Sequence, residues 1–396
     1  MPMSVPQRIL IAPSGFKESL TSEQVAEAIA QGVRRALPGV HLDLVPLVDG
    51  GEGTATTLAT TTGGRLVPLT VTGPVGQPVE SHLALLGSQA TGTAVVEMAA
   101  AAGLHLVPRD QRDPGATTTY GVGELIRAAL DHGATTILVG CGDSGTCDGG
   151  AGALVALGAT VRDEHGEDVA PGGAALRHAR TIDLSGLDER LSGVEVKVAC
   201  NPHNVLLGES GVARVFGPQK GATPAQVDEL ETGLAQWAAL LDQVGRHREA
   251  GTTDLRLGLG TGASGGLGAG LAAGLGAHLL PRFDVLLDHV DLDASVRAAD
   301  LVITAEGAVD FQTPRGKIPA EVARRAQLHG RPVVALAGSL GEGSREVHGA
   351  GIDALASILT VPMPLEDALT EGATLLADAA ERMMRMVLVG CSVAST

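Results

Sequence analysis

Acids and lysines stand beside glycine-rich turns at separate points of the chain. Asp49 and Glu52 flank Gly50-Gly51, Glu306 and Asp310 precede Gly316-Lys317, and Lys17 closes a Ser14-Gly15-Phe16 turn. Phosphoryl transfer uses such parts, because carboxylates hold Mg2+ or accept a hydroxyl proton and cations offset the developing charge. Taken singly, each acid is more often a turn or cap residue. A third set lies mid-chain, where the run Gly140 to Gly150 satisfies G-x-G-x-x-G and Val215-Phe216-Gly217-Pro218-Gln219-Lys220-Gly221 adds one cation to a rigid turn. Glycine lets backbone N–H groups approach a phosphate, and a following helix adds positive potential. Gly142, Ser144, Gly145, Thr146, Asp148 and Lys220 are therefore candidate nucleotide contacts.

That central loop leaves two other readings open. With Asp163 or Glu164 near the place of a ribose-binding acid, it fits an NAD-dependent hydroxy-acid oxidoreductase. It also fits a structural glycine turn. The later cluster Gly258 to Gly270 lacks the Lys-Ser/Thr end of a Walker loop, so any phosphate contact there falls to backbone donors.

The elements that must position these residues alternate strand and helix. Arg8 to Ala12 is a short β-rich run, and Thr21 to Leu37 places Val25, Ile29 and Val33 at helical spacing. Thr21 with Gln24 forms a capping box that sets the helix start. Leu42 to Leu47 predicts a second strand, and Leu301 to Thr304, Val333 to Ala337 and Ala354 to Leu359 predict buried strands separated by helices such as Ala320 to Leu328. Sequential βα units build a parallel sheet, so the two ends of the chain, 1–78 and 285–396, assemble into one doubly wound, Rossmann-like α/β domain. Residues 79–284, with strands at Ala94 to Met98, Ile137 to Val139 and Val194 to Val198, form an inserted second α/β domain. Ligands of such folds sit at the carboxyl ends of strands and at domain interfaces, which places the expected cleft between the domains.

Composition narrows the partners. Lys and Arg number 28 against 45 Asp and Glu in 396 residues, a formal charge of −17, which argues against nucleic acid. The chain has 55 glycines but only one Trp, one Tyr and four Phe, so it lacks stacking platforms and leaves its core to aliphatic residues. Cys141, Cys147, Cys200 and Cys391 show no C-x-x-C pairing, and Met1 to Arg8 has no apolar segment with a cleavage site; a reducing, cytoplasmic setting is expected. Leu257 to Leu280 carries no Asp, Glu, Lys or Arg, yet its glycine density opposes membrane insertion.

In order, Ala12-Pro13-Ser14-Gly15-Phe16-Lys17-Glu18-Ser19-Leu20, Asp49-Gly50-Gly51-Glu52-Gly53-Thr54, Asp148-Gly149-Gly150, Phe216-Gly217-Pro218-Gln219-Lys220-Gly221-Ala222 and Asp310-Phe311-Gln312-Thr313 with Gly316-Lys317 resemble the bacterial glycerate kinase family. The resemblance covers most of the chain. It implies ATP-dependent phosphorylation of D-glycerate to 2-phosphoglycerate, with 3-phosphoglycerate the alternative product, and Mg2+ dependence. It also implies a Rossmann-like domain interrupted by a second α/β domain, in a monomer or homodimer. The chain departs from the family pattern at Ser14, where an acid is frequent, at Asp143 to Asp148, and at Ala308, where an arginine is frequent. Within this resemblance Lys17 and Lys317 attend the transferred phosphoryl group or the glycerate carboxylate. Asp49 and Asp310 are alternative bases, and Glu306 with the remaining aspartate binds Mg2+. A non-catalytic anion-binding module on the same fold is the non-enzyme alternative.

Overall fold

The computed structural model describes residues 5–17, 19–249, 251–252 and 254–394. Glu18 of the first motif and the first four residues of the amino-terminal stretch lie outside them. Strand β1 (Arg8–Ile11) opens the first unit, and Ile9, Leu10 and Ile11 are wholly buried. Burying aliphatic side chains of this size contributes about 1.5–3 kcal/mol each. The following helix Ser22–Ala36 starts as expected: Gln24 N donates to Thr21 Oγ1 at 3.3 Å and Thr21 N to Gln24 Oε1 at 2.9 Å. Strand β2 (His41–Leu44) is shorter than the sequence suggests. Pairing nonetheless runs on, with Val45 N donating to Ile11 O and Leu47 N to Pro13 O.

The chain passes from the first unit to the second between Asp49 and Gly50. Residues 50–78 were expected in the first domain. They belong to the second unit because helix Thr54–Thr62 and β3 (Arg65–Thr72) pack on and pair with β4 (Pro78–Leu85), and the expected boundary cuts into β4 itself. The unit continues through β5 (Thr93–Glu97), β6 (Thr136–Gly140), the small pair β7 (Thr160–Arg162) and β8 (Thr181–Asp183), β9 (Glu195–Cys200) and β10 (His278–Pro281). Its main sheet has the order β10-β9-β6-β5-β4-β3, parallel from β10 to β5 and antiparallel beyond. The uncharged stretch around residue 270 is helix Ala263–Leu275, buried inside this unit. No helix among the described residues is long and apolar enough to cross a membrane.

The chain re-enters the first unit at Val290 and adds β11 (Leu301–Val309), β12 (Val333–Leu340) and β13 (Ala354–Ser357). The all-parallel order is β13-β12-β11-β1-β2. Helices Ser22–Ala36 and Gly372–Ala394 bury one face against Ile9, Ile11, Ile303 and Leu336. Helices Leu292–Ala298 and Ile318–Leu328 pack on the other. In this doubly wound sheet the connections leaving β1 and β11 diverge to opposite faces, so a crevice opens outside their carboxyl ends.

Candidate active site

The loops at that switch point carry the predicted residues. After β1, Ser14 N donates to Ala305 O at 2.9 Å, which keeps the loop alongside β11. The turn bearing Lys17 then passes Gly307, where a Cβ would lie 3.5 Å from Phe16 Cα and 3.7 Å from Lys17 N. Lys17 is exposed there, and Asp49 follows the extended pairing of β2.

Glu306 projects from β11, and Asp310 begins the turn beyond it. Thr313, the last residue of the Asp310-Phe311-Gln312-Thr313 motif and given no role by sequence alone, ties them together: its hydroxyl receives Asp310 N at 3.1 Å and donates to Glu306 Oε2 at 3.4 Å. Gly316 at φ 102° reverses the chain so that Lys317 caps helix Ile318–Leu328. Its ammonium lies 3.3 Å from Glu306 Oε1, 3.4 Å from Asp310 Oδ1 and 3.2 Å from Ala308 O. Burial raises the Glu306 carboxyl to about 7; Lys317 opposes the rise, and Asp49 and Asp310 add to it. Glu306, Asp310, Lys317 and Asp49 thus form one electrostatic cluster, with Lys17 on the neighbouring turn.

The central-loop candidates occupy the second unit, at the carboxyl end of β6. Gly142, Asp143 and Ser144 are partly exposed, whereas Gly145 to Asp148 are buried. Gly142 must be glycine because a Cβ would lie 2.6 Å from Gly51 Cα. Lys220 was expected to reach a phosphate. It is only 2% exposed, and its Nζ is committed to Ser144 Oγ at 2.8 Å and Thr146 O at 2.7 Å, so it clamps the loop from beneath. Desolvation lowers its pKa. Asp148, 1% exposed, accepts from Thr119 N at 2.8 Å, Gly150 N at 3.2 Å and Gly152 N at 3.2 Å, besides the Thr119 hydroxyl. It too holds the backbone, leaving Gly142 and Ser144 as the accessible part of the predicted set.

Glu97 went unnoticed in the sequence, although an acid ending the apolar run Ala94 to Met98 was a usable signal. It is 1% exposed at the carboxyl end of β5. Its two oxygens accept Gly53 N at 3.1 Å and Ala55 N at 3.0 Å, capping helix Thr54–Thr62, whose own N-cap Gly53 has no side chain to do so. Burial raises its carboxyl to about 7; those two amides oppose the rise, and Glu52 and Asp143 reinforce it.

The dinucleotide reading of the central loop fails on geometry. Residues 141–150 separate β6 from helix Ala151–Ala156, which is too distant and too short to present its amino terminus directly after the first glycines. Asp163 is occupied in a turn, receiving His165 N at 2.8 Å and Glu167 N at 3.0 Å.

A parallel sheet with acids and a lysine converging at its switch point defines an α/β enzyme with a site for charged ligands. Comparison with known proteins narrows the class: residues 9–388 match the glycerate kinase family. Glycerate kinase of Bacillus subtilis (strain 168) is 45% identical over 389 residues, 98% of this chain and 99% of that protein. Glycerate 2-kinase of Escherichia coli (strain K12) is 40% identical over 361 residues, 91% of this chain and 93% of that protein. The crystal structure of a Salmonella typhimurium LT2 protein assigned as glycerate kinase 2 superposes with a TM-score of 0.79 at 43% identity, covering 97% of this chain and 98% of that one. The chain belongs to the glycerate kinase family and is an enzyme, a kinase.

Proposed function

We propose that the protein transfers the γ-phosphoryl group of ATP to D-glycerate in the cytoplasm, at the 2-hydroxyl named in its Escherichia coli relative. The observation that carries the site assignment is the single Lys317 ammonium set between Glu306 and Asp310 at the sheet's switch point. Lys17 and Lys317 offset charge on the transferred group or on the glycerate carboxylate. We assign the hydroxyl proton to Asp49 and the metal to Asp310, whose carboxylate pairs with Lys317 and accepts from Gln312 N at 2.8 Å. Gly142 and Ser144 receive nucleotide phosphates, on a loop that Lys220 and Asp148 hold in shape.

The acids fit Mg2+. Burial raises the Glu306 carboxyl and the nearby Asp49 and Asp310 add to the rise, so a cation placed among these acids would favour the ionised form of Glu306. Among the described residues no three His, Cys, Asp or Glu side chains are placed to hold a metal by themselves. Mg2+ commonly binds through one or two carboxylates, waters and substrate phosphates, which suits Glu306 and Asp310. When bound it would neutralise charge on the phosphates.

Lys17→Ala and Asp310→Asn each lower ATP-dependent turnover of D-glycerate by about 100-fold or more, the scale of losing one transition-state contact, with unchanged circular dichroism. Mass spectrometry and NMR of the product identify the phosphorylated hydroxyl. Wild-type rates in both variants would remove the site assignment, and a 3-phosphorylated product would move the reaction to the other hydroxyl.

A further inference from the structure

Glu97 is a costly way to cap a helix. The usual side-chain cap at position 53 is closed off because Gly53 sits at φ 88°, so the cap comes from 44 residues away and is a carboxylate withdrawn from water. The same short segment is held at other points. Glu52 N donates to Asp143 Oδ2 at 3.2 Å, and a Cβ at Gly50 would lie 3.1 Å from Cys141 N. Backbone amides 52, 53 and 55 are therefore all bound by acids from other elements. The residue bonded to the amino side of this segment is Asp49, the proposed base.

We infer that Glu97 is a positioning residue for phosphoryl transfer: by holding the amides of Gly53 and Ala55 it fixes the Gly50–Gly53 turn, and thereby the backbone from which Asp49 projects. The inference rests on the assignment of Asp49 to the reaction. Two oxygens are required because the two amides stand apart by one residue, and a neutral amide side chain can accept from one only, turning its own N–H groups toward the other. The charged groups facing Glu97 are Glu52 and Asp143, and both disfavour its ionised form. Helix Thr54–Thr62, strand β6 and helix Ala99–Ala102 bring no titratable side chain.

The two amides favour the ionised carboxylate, which offers an acceptor to each, while burial, Glu52 and Asp143 oppose it. Replacement by glutamine removes one of the two hydrogen bonds. A residue that merely supports the fold would lose activity together with stability. A positioning residue is expected to separate the two.

The test compares wild type, Glu97→Gln, Glu97→Asp and Asp49→Asn in the full chain. Glu97→Gln is expected to lower kcat about tenfold, leave KM for ATP within about twofold, and keep or raise the melting temperature at pH 8. Glu97→Asp, which retains both oxygens, recovers part of the lost kcat. Hydrogen exchange, corrected for intrinsic rate, shows residues 50–58 less protected in Glu97→Gln than in wild type at the same pH. Wild-type kcat in Glu97→Gln, or a kcat loss matched by a lower melting temperature, overturns the inference. Activity retained in Asp49→Asn would instead remove the assignment on which it stands.

Discussion

Lys317 Nζ stands 3.3 Å from Glu306 Oε1, and the same ammonium reaches Asp310, so one positive charge is shared by two acids. Lys317→Met leaves Glu306, Asp310 and Asp49 facing one another without it. Turnover should fall by about 100-fold or more, and Lys317→Arg, which keeps the charge but not the compact ammonium, should fall between. A coupled assay for ADP release checks both.

Glu97 and Glu306 predict an unusual pH profile of stability. Each has a folded pKa near 7 against an ordinary value of 4.5. A raised folded pKa contributes stability that is complete below about 4.5 and lost as pH rises through 7. In the metal-free protein, unfolding free energy should drop by about 2 kcal/mol per residue between pH 5.5 and 8. Urea titrations at those pH values should show the drop halved in either Glu→Gln variant and nearly abolished in the double variant.

Lys220 separates a clamp from a ligand contact. Lys220→Ala leaves Ser144 and the Thr146 carbonyl without their donor and should destabilise the protein by about 2–4 kcal/mol, read as a lower urea midpoint. ATP affinity lost with the urea midpoint unchanged would instead mark Lys220 as a direct contact, checked by calorimetry.

Asp148→Asn makes a complementary case. The buried carboxylate accepts from three amides and a hydroxyl, and an asparagine must turn N–H groups toward at least one of those amides. A loss of about 2–3 kcal/mol in stability is expected, with KM for D-glycerate unchanged in the folded fraction. Equilibrium unfolding and steady-state kinetics on the same preparation check it.

The first unit was readable because its signals are local: the Thr21–Gln24 box, the apolar runs of β1 and β11, and glycines directly after strands. Strand ends were less legible. β11 runs to Val309 although its apolar run stops at Ala305, because Glu306, Ala308 and Val309 still pair along β12. The first domain boundary was misplaced because nothing in residues 50–78 reveals that β3 pairs with β4. At the proposed site, residue types near glycine turns pointed to Glu306, Asp310 and Lys317, whose side chains the fold brings together. Burial, which decides whether Lys220 and Asp148 meet ligand or backbone, depends on segments far away in sequence. Glu97 escaped for the same reason, since its partners lie more than forty residues earlier.

The interrupted first unit bears on how the chain is made. Ile9 in β1 pairs with Leu301 in β11, so the central strand of that sheet lacks one neighbour until nearly three hundred further residues have been synthesised. Residues 50–289 form a continuous unit with its strand partners close at hand. At translation speeds of about 5–20 residues per second, β1 waits on the order of 15–60 s for its partner. Lys17 and Asp49 emerge early on the ribosome, but the acids and the lysine that complete their cluster arrive only with the last quarter of the protein.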